Sequence, residues 1–139
     1  MKIAIIGPIH EDGYNILKNA RYDFFEINNF KANFLKSNLH DVDGIILRTA
    51  KLSKNILSKC KKLKIIVRHG VGYDNVDLKY LNSKKIALGI TSTSNAVSVA
   101  EHVLTCFLSL TKNLHLSDSL TRKGNFNKKS ELPNFFEIY

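Results

Sequence analysis

Up to Ile90 the chain alternates between short apolar runs and longer stretches whose apolar residues recur at helical spacing. Lys2–Ile6, Tyr22–Ile27, Ile45–Leu47, Ile65–Val67 and Ile86–Ile90 read as strands. Several of them are continuous and β-branched, as expected of strands buried on both faces. Between them, residues 11–20 offer Tyr14, Ile16, Leu17 and Ala20 to a core. Phe30–Leu39 carries Phe30, Phe34 and Leu35 at helical spacing, and Leu52–Cys60 places Leu52, Ile56 and Leu57 on one side. A short helix follows near Leu78–Leu81, with Asp74-Asn75-Val76-Asp77 suited to a turn or a cap ahead of it. Regular alternation of strand and helix predicts an α/β fold, a flavodoxin-like parallel five-stranded sheet with helices on both faces.

The pattern changes after residue 94. A long helix is expected from Val99 to Asn113, with Ser98 as N-cap and Glu101 reaching back in a capping box. Val99, Ala100, Val103, Leu104, Phe107, Leu108 and Leu110 cover more than one face of it, so it must be buried on several sides. The preceding residues offer too little to do that. From Asn113 the chain reads as polar and loop-like, ending in the aromatic tail Phe135–Tyr139. The expected division is therefore residues 1–94 and residues 95–139.

Composition narrows the class. With 139 residues and 44% hydrophobic content, the chain can form one packed domain, or one domain and a piece of another. The net charge of +9 raises nucleic acid as a partner. Its lysines are scattered, however, and the clusters at Lys59–Lys64 and Lys84–Lys85 carry no interleaved aromatic surface for base stacking. A solvated basic surface is the expectation. Cys60 and Cys106 show no metal-ligand spacing and are too few for a disulfide framework. Cys106 reads as a small buried hydrophobe within the long helix. MKIAIIGP is too short and too broken to be a signal peptide, and no run reaches transmembrane length. A reducing cytoplasm is the expected compartment.

The chemistry gathers at Lys64–Asp77. The strand Ile65–Val67 runs into Gly70-Val71-Gly72, where glycine allows a turn that bares backbone N–H groups at the carboxyl end of a strand. The dinucleotide fingerprint G-x-G-x-x-G is not met, because Asn75 holds the third glycine position. A tight structural turn explains two glycines equally well. Arg48 ends the strand Ile45–Leu47, where a guanidinium can hold a carboxylate or phosphate at two points. The alternative is a surface ion pair with Asp43 or Asp74. His69 and His102 have the chemistry of a general base, but neither shows a carboxylate partner in the sequence.

Three strings in order, LRTA at Leu47, RHGVGYDNVDL at Arg68 and SNAVSVAEH at Ser94, span nearly the whole chain. Together they resemble the amino-terminal, substrate-binding region of the D-isomer-specific 2-hydroxyacid dehydrogenases, with the phosphoglycerate dehydrogenase branch nearest in pattern. The resemblance implies that Arg48 lies by the substrate and that the Gly70, Val71 and Gly72 backbone contacts its carboxylate. It implies that Val71 also lies near the nicotinamide and that Asn95 borders the same cleft. The catalytic Arg, Glu and His of that family, with its G-x-G-x-x-G, belong to a later segment that these residues do not contain. No catalytic or metal-ligating residue is therefore assigned, and His69 is not promoted to catalyst. The expectation is a truncated NAD-dependent oxidoreductase acting on a small 2-hydroxy or 2-keto acid, inactive by itself. Its long helix would belong to a missing Rossmann domain, and the complete enzyme would be a homodimer. The other reading is a flavodoxin-like or receiver-like module for FMN, a phosphoryl group or a partner. A receiver needs an acidic cluster after its first strand, where this chain has Gly7-Pro8.

Overall fold

The computed structural model describes residues 1–133 and 135–137. The chain divides into two compact units, Met1–Ser94 and Asn95–Tyr139. Ile138 and Tyr139 of the aromatic tail lie outside the described residues.

The first unit follows the alternation of the sequence: β1 (Lys2–Ile6), α1 (Glu11–Asn19), β2 (Asp23–Ile27), α2 (Ala32–Asn38), β3 (Gly44–Leu47), α3 (Lys54–Leu57), β4 (Ile65–Arg68), α4 (Leu78–Lys84) and β5 (Ala87–Ile90). Its five strands pair in parallel in the order β2-β1-β3-β4-β5. Period-two alternation sends Ala4, Ile6, Ile45, Leu47 and Ile66 to one face, where they pack with Leu35, Ile56, Leu57 and Leu81 from α2, α3 and α4. Ile3 and Ile5 go to the other face and meet Leu17 of α1, with Phe24 and Ile46 beside them.

Some expected faces are corrected. Ile16 is exposed, because Tyr14 and Leu17, three apart, form the inward stripe of α1. Ala20 is exposed as well. Phe30 precedes α2 and, like Phe34, is partly exposed, which leaves Leu35 as the buried residue of that helix. Leu52 is buried but outside α3. It bridges Val76 in the loop after β4, and its N–H donates to the Asn75 carbonyl at 2.7 Å. That strand-like pairing takes the backbone groups a longer helix would need. Asp77 caps α4 as the sequence suggests, its carboxylate accepting from the Tyr80 N–H at 3.0 Å.

The second unit contains α5 (Ala96–Thr111), α6 (Leu114–Arg122) and a short 3-10 helix at Phe126–Glu131. The capping box at Ser98 does not form. The Val99 N–H already donates to the Asn95 carbonyl at 2.9 Å, so the helix starts earlier, with Asn95 as N-cap and Ser98 inside it. No residue of α5 is buried. Cys106 is therefore exposed rather than buried, its Sγ 3.5 Å from His102 Nε2 one turn away. The stretch after Asn113 is helical, not loop-like. Asn113 takes a left-handed conformation that breaks α5 from α6, one that asparagine tolerates. In α6, an Asp118–Arg122 pair at 2.9 Å supports a polar helix from its own surface.

At the amino edge of the sheet, Asp43 accepts from the Lys2 N–H at 2.9 Å and pairs with Lys64 at 3.2 Å, while Asp41 pairs with Lys2 Nζ at 2.8 Å. The Lys2 backbone N–H first, then Lys64, hold the Asp43 carboxyl below its ordinary 3.8, and the Lys2 ammonium does the same for Asp41. A carboxyl depressed in the folded state stabilises the fold above its unfolded pKa, and that contribution is lost as pH falls through the folded value. Denaturant midpoints followed from about pH 5 to about pH 2 should fall less steeply in Asp43→Asn than in the wild type. Parallel curves would refute the assignment.

Candidate functional site

The strand order reverses direction between β1 and β3, and in open α/β sheets ligands bind outside the carboxyl ends of strands at such a point. The ends concerned run into Gly7-Pro8 and Arg48-Thr49. Gly7 has a φ of 87°, and a Cβ there would stand 3.2 Å from Arg48 Cβ and 3.6 Å from Phe30 Cζ. Glycine thus lets three segments close on one another. The Arg48 N–H donates to the Ile6 carbonyl at 3.0 Å, and its exposed guanidinium donates through Nη1 to the Pro8 carbonyl at 3.0 Å. No ion pair between Arg48 and Asp43 or Asp74 forms among the described residues, and Asp43 is engaged by Lys64. Nearby, the Tyr14 hydroxyl accepts from the Ile9 N–H at 3.4 Å and donates to Glu26 at 2.7 Å. That bond, then one from Asn28, holds the Glu26 carboxyl below its ordinary range.

β4 continues the site. Leu47 is the register partner of Arg68, and the His69 N–H donates to the Leu47 carbonyl at 2.8 Å, which sets Arg48 beside His69. The loop then turns: the Gly70 N–H donates back to the Arg68 carbonyl at 2.9 Å, and the Gly70 carbonyl accepts from Thr91 at 3.2 Å. Val71 and Gly72 are exposed, and neither N–H donates a hydrogen bond among the described residues. His69 is exposed and has no carboxylate partner among the described residues.

Arg68 escapes a reading of the sequence. Among so many basic residues it looks like one more, and only its place at the end of a β-branched run, parallel to that of Arg48, could have marked it. A cleft of about 210 Å³ is lined by Arg68 together with Thr49, Gly72, Asp74 and Asn75. Arg68 Nε and Asn75 Oδ1 are buried there without a hydrogen-bond partner. Asn95 belongs to the second unit, where it is the exposed N-cap of α5 and makes no side-chain capping bond.

Two exposed backbone N–H groups near a guanidinium have the chemistry to attract an anion, and the Asp74 carboxylate lines the cleft beside Gly72. A pyrophosphate is held at a helix N-terminus behind a glycine turn. The helix after Gly72 begins at Leu78, and the Asp77 carboxylate already accepts from its Tyr80 N–H. Among the described residues no group of three or more His, Cys, Asp or Glu is placed to hold a metal ion.

Residues 3–136 match the family described as D-isomer specific 2-hydroxyacid dehydrogenase, catalytic domain. The chain belongs to this family. Among curated relatives, D-3-phosphoglycerate dehydrogenase of Methanocaldococcus jannaschii is 28% identical over 93% of this chain and 25% of its own length. Formate dehydrogenase of Candida boidinii is 43% identical over 81% of this chain and 30% of its own length. The crystal structure of NAD-dependent formate dehydrogenase from Staphylococcus aureus in complex with NAD superposes with a TM-score of 0.78 at 26% identity, covering 94% of this chain and 44% of that one. NAD-bound 3-phosphoglycerate dehydrogenase of Entamoeba histolytica gives 0.69 at 33% identity, over 78% and 38% of the two chains. The chain spans between 24% and 41% of the length of the first curated relatives it matches. Membership in an NAD-dependent dehydrogenase family replaces the receiver-like reading, while the sheet order keeps the flavodoxin-like description of the fold. Among the described residues no helix is long and apolar enough to cross a membrane.

Proposed function

We propose that Met1–Ser94 is the substrate-binding part of an NAD-dependent D-2-hydroxyacid dehydrogenase. It holds the carboxylate of a small 2-hydroxy or 2-keto acid against the Val71 and Gly72 amides, with Arg48 alongside. The observation that carries this reading is the pair of exposed, unbonded N–H groups at the carboxyl end of β4, next to a guanidinium at the end of β3. Two donors and a cation attract a carboxylate from a site otherwise open to water. NAD, the cofactor bound in the relatives' structures named above, supplies the hydride acceptor in the whole enzyme. Asn95–Tyr139 belongs to the cofactor-binding side of that enzyme, and Val71 lies where the nicotinamide meets the substrate. The half-exposed Phe107 and Leu108 and the more exposed Val103, Leu104 and Leu110 of α5 support self-association as a homodimer. The enzyme works in the cytoplasm.

Titration of the chain with D-lactate, followed by backbone NMR, tests the site. Arg48→Ala should weaken binding about threefold to tenfold, a charge-assisted bond discounted for exposure. His69→Ala should leave it nearly unchanged. Equal losses from both variants would take Arg48 out of this role.

A further inference from the structure

We propose that Arg68 is a positioning residue: its guanidinium fixes the Gly70–Gly72 loop in the shape that presents the Val71 and Gly72 amides. The proposal rests on the reading of that loop as the carboxylate seat, and adds what holds the seat in place. Strand alternation separates the two arginines. Arg68 follows Ile66 onto the face of the larger core, whereas Arg48 lies on the face of Ile46. Arg68 therefore reaches the loop from the opposite side of the sheet to Arg48.

Its bonds go to the backbone. Nη1 donates to the His69 carbonyl at 2.9 Å and to the Leu47 carbonyl at 3.4 Å, which ties the start of the loop to the end of β3. The guanidinium also lies against Gly70. A Cβ at Gly70, whose φ is 151°, would stand 3.0 Å from Nη1, 3.3 Å from Cζ and 3.5 Å from Nη2. Glycine is favoured there by its conformation, and a Cβ would press on the guanidinium. Lysine offers a cation without the planar guanidinium, so it cannot lie flat against Gly70 as Arg68 does. Gly72 lines the same cleft as Arg68, so the side chain and the second glycine of the loop border one space.

The test uses the 139-residue chain as wild type, Arg68→Gln, Arg68→Lys and Gly70→Ala. NMR relaxation reports the order of the Val71 and Gly72 amides, and titration with D-lactate reports binding. Thermal melts monitor the fold as a whole. In the wild type these amides should be nearly as ordered as the strands, with order parameters about 0.8, falling below about 0.6 in Arg68→Gln. Binding of D-lactate should weaken about fivefold in the same variant, and Arg68→Lys should recover less than half of either change. Binding lost with loop order unchanged would overturn the proposal, since Arg68 would then act on the ligand directly. Order and binding both unchanged would also overturn it. Should Arg68→Gln fail to fold, Gly70→Ala displaces the guanidinium from the other side and must loosen the same two amides. An unaltered loop in Gly70→Ala refutes the proposal. A wild type that does not bind D-lactate, with the loop loosened in Arg68→Gln, supports the hold of Arg68 and overturns only the carboxylate reading.

Discussion

Leu47→Ala lowers the melting temperature of the first unit by on the order of 10–30 °C, while Ile16→Ala leaves it within a few degrees. Leu47 is fully buried at the end of β3 and belongs to the larger core cluster. Truncating such a leucine removes its transfer free energy and leaves a cavity, together about 2–5 kcal/mol. The total stability of such a domain is about 5–15 kcal/mol, so a large part of it is lost. Ile16 is 66% exposed, and its truncation should change stability by about 0.5 kcal/mol or less. Circular dichroism melts of both variants decide the matter. Comparable shifts would mean that α1 packs through a different face from the one described.

The 139-residue chain is expected to form no NADH from NAD with 3-phosphoglycerate, D-lactate or D-glycerate. Hydride transfer requires the nicotinamide held at near-attack distance from the substrate carbon. It also requires a base within reach of the hydroxyl proton. Two features of the described residues weigh against both. The helix N-terminus after the Gly70–Gly72 loop is capped by Asp77, and His69 has no carboxylate partner among them. Pre-organised orientation alone accounts for about 7–11 kcal/mol of such a barrier, so its loss takes the rate below detection. Absorbance at the NADH band against a no-enzyme control is the measurement. NADH formed by the wild type and not by Arg48→Ala would overturn the expectation. Activity gained when a cofactor-binding segment of a family member is added would support it.

What could be read in the sequence depended on how local its causes were. The runs ending in Ile45–Leu47 and Ile65–Val67 could be assigned because continuous β-branched residues leave few alternatives to a buried parallel strand. The positions of Arg48 and Gly70–Gly72 at strand ends were legible for the same reason, since they follow directly from the strands before them. Leu52 was misread because its helical spacing with Ile56 is real, while its true partner, Val76, lies far along the chain. Ser98 satisfied a local capping pattern, but Asn95 took the role through a backbone bond that the pattern cannot reveal. The polar composition of α6 hid a helix sustained by its own ion pair. Arg68 went unnoticed because its importance lies in a carbonyl of β3 and in the missing side chain of Gly70, both invisible to spacing.

The pairing of Leu52 with Val76 has a kinetic consequence. Leu52 N–H donates to Asn75, Asp77 N–H donates to Leu52 at 3.2 Å, and the Asn75 side chain donates to the Ala50 carbonyl at 2.8 Å. The loops that follow β3 and β4 are thereby stitched into one body, and Arg48 and Gly72 lie on its two halves. A small acid bound there would meet a shape already made, and little ordering entropy would be spent on capture. Association should then run close to the upper range for small solutes, with changes in affinity among different acids residing in how fast each one leaves. Asn75→Ala removes the side-chain bond to Ala50 and leaves the two backbone bonds, so it should slow arrival only modestly.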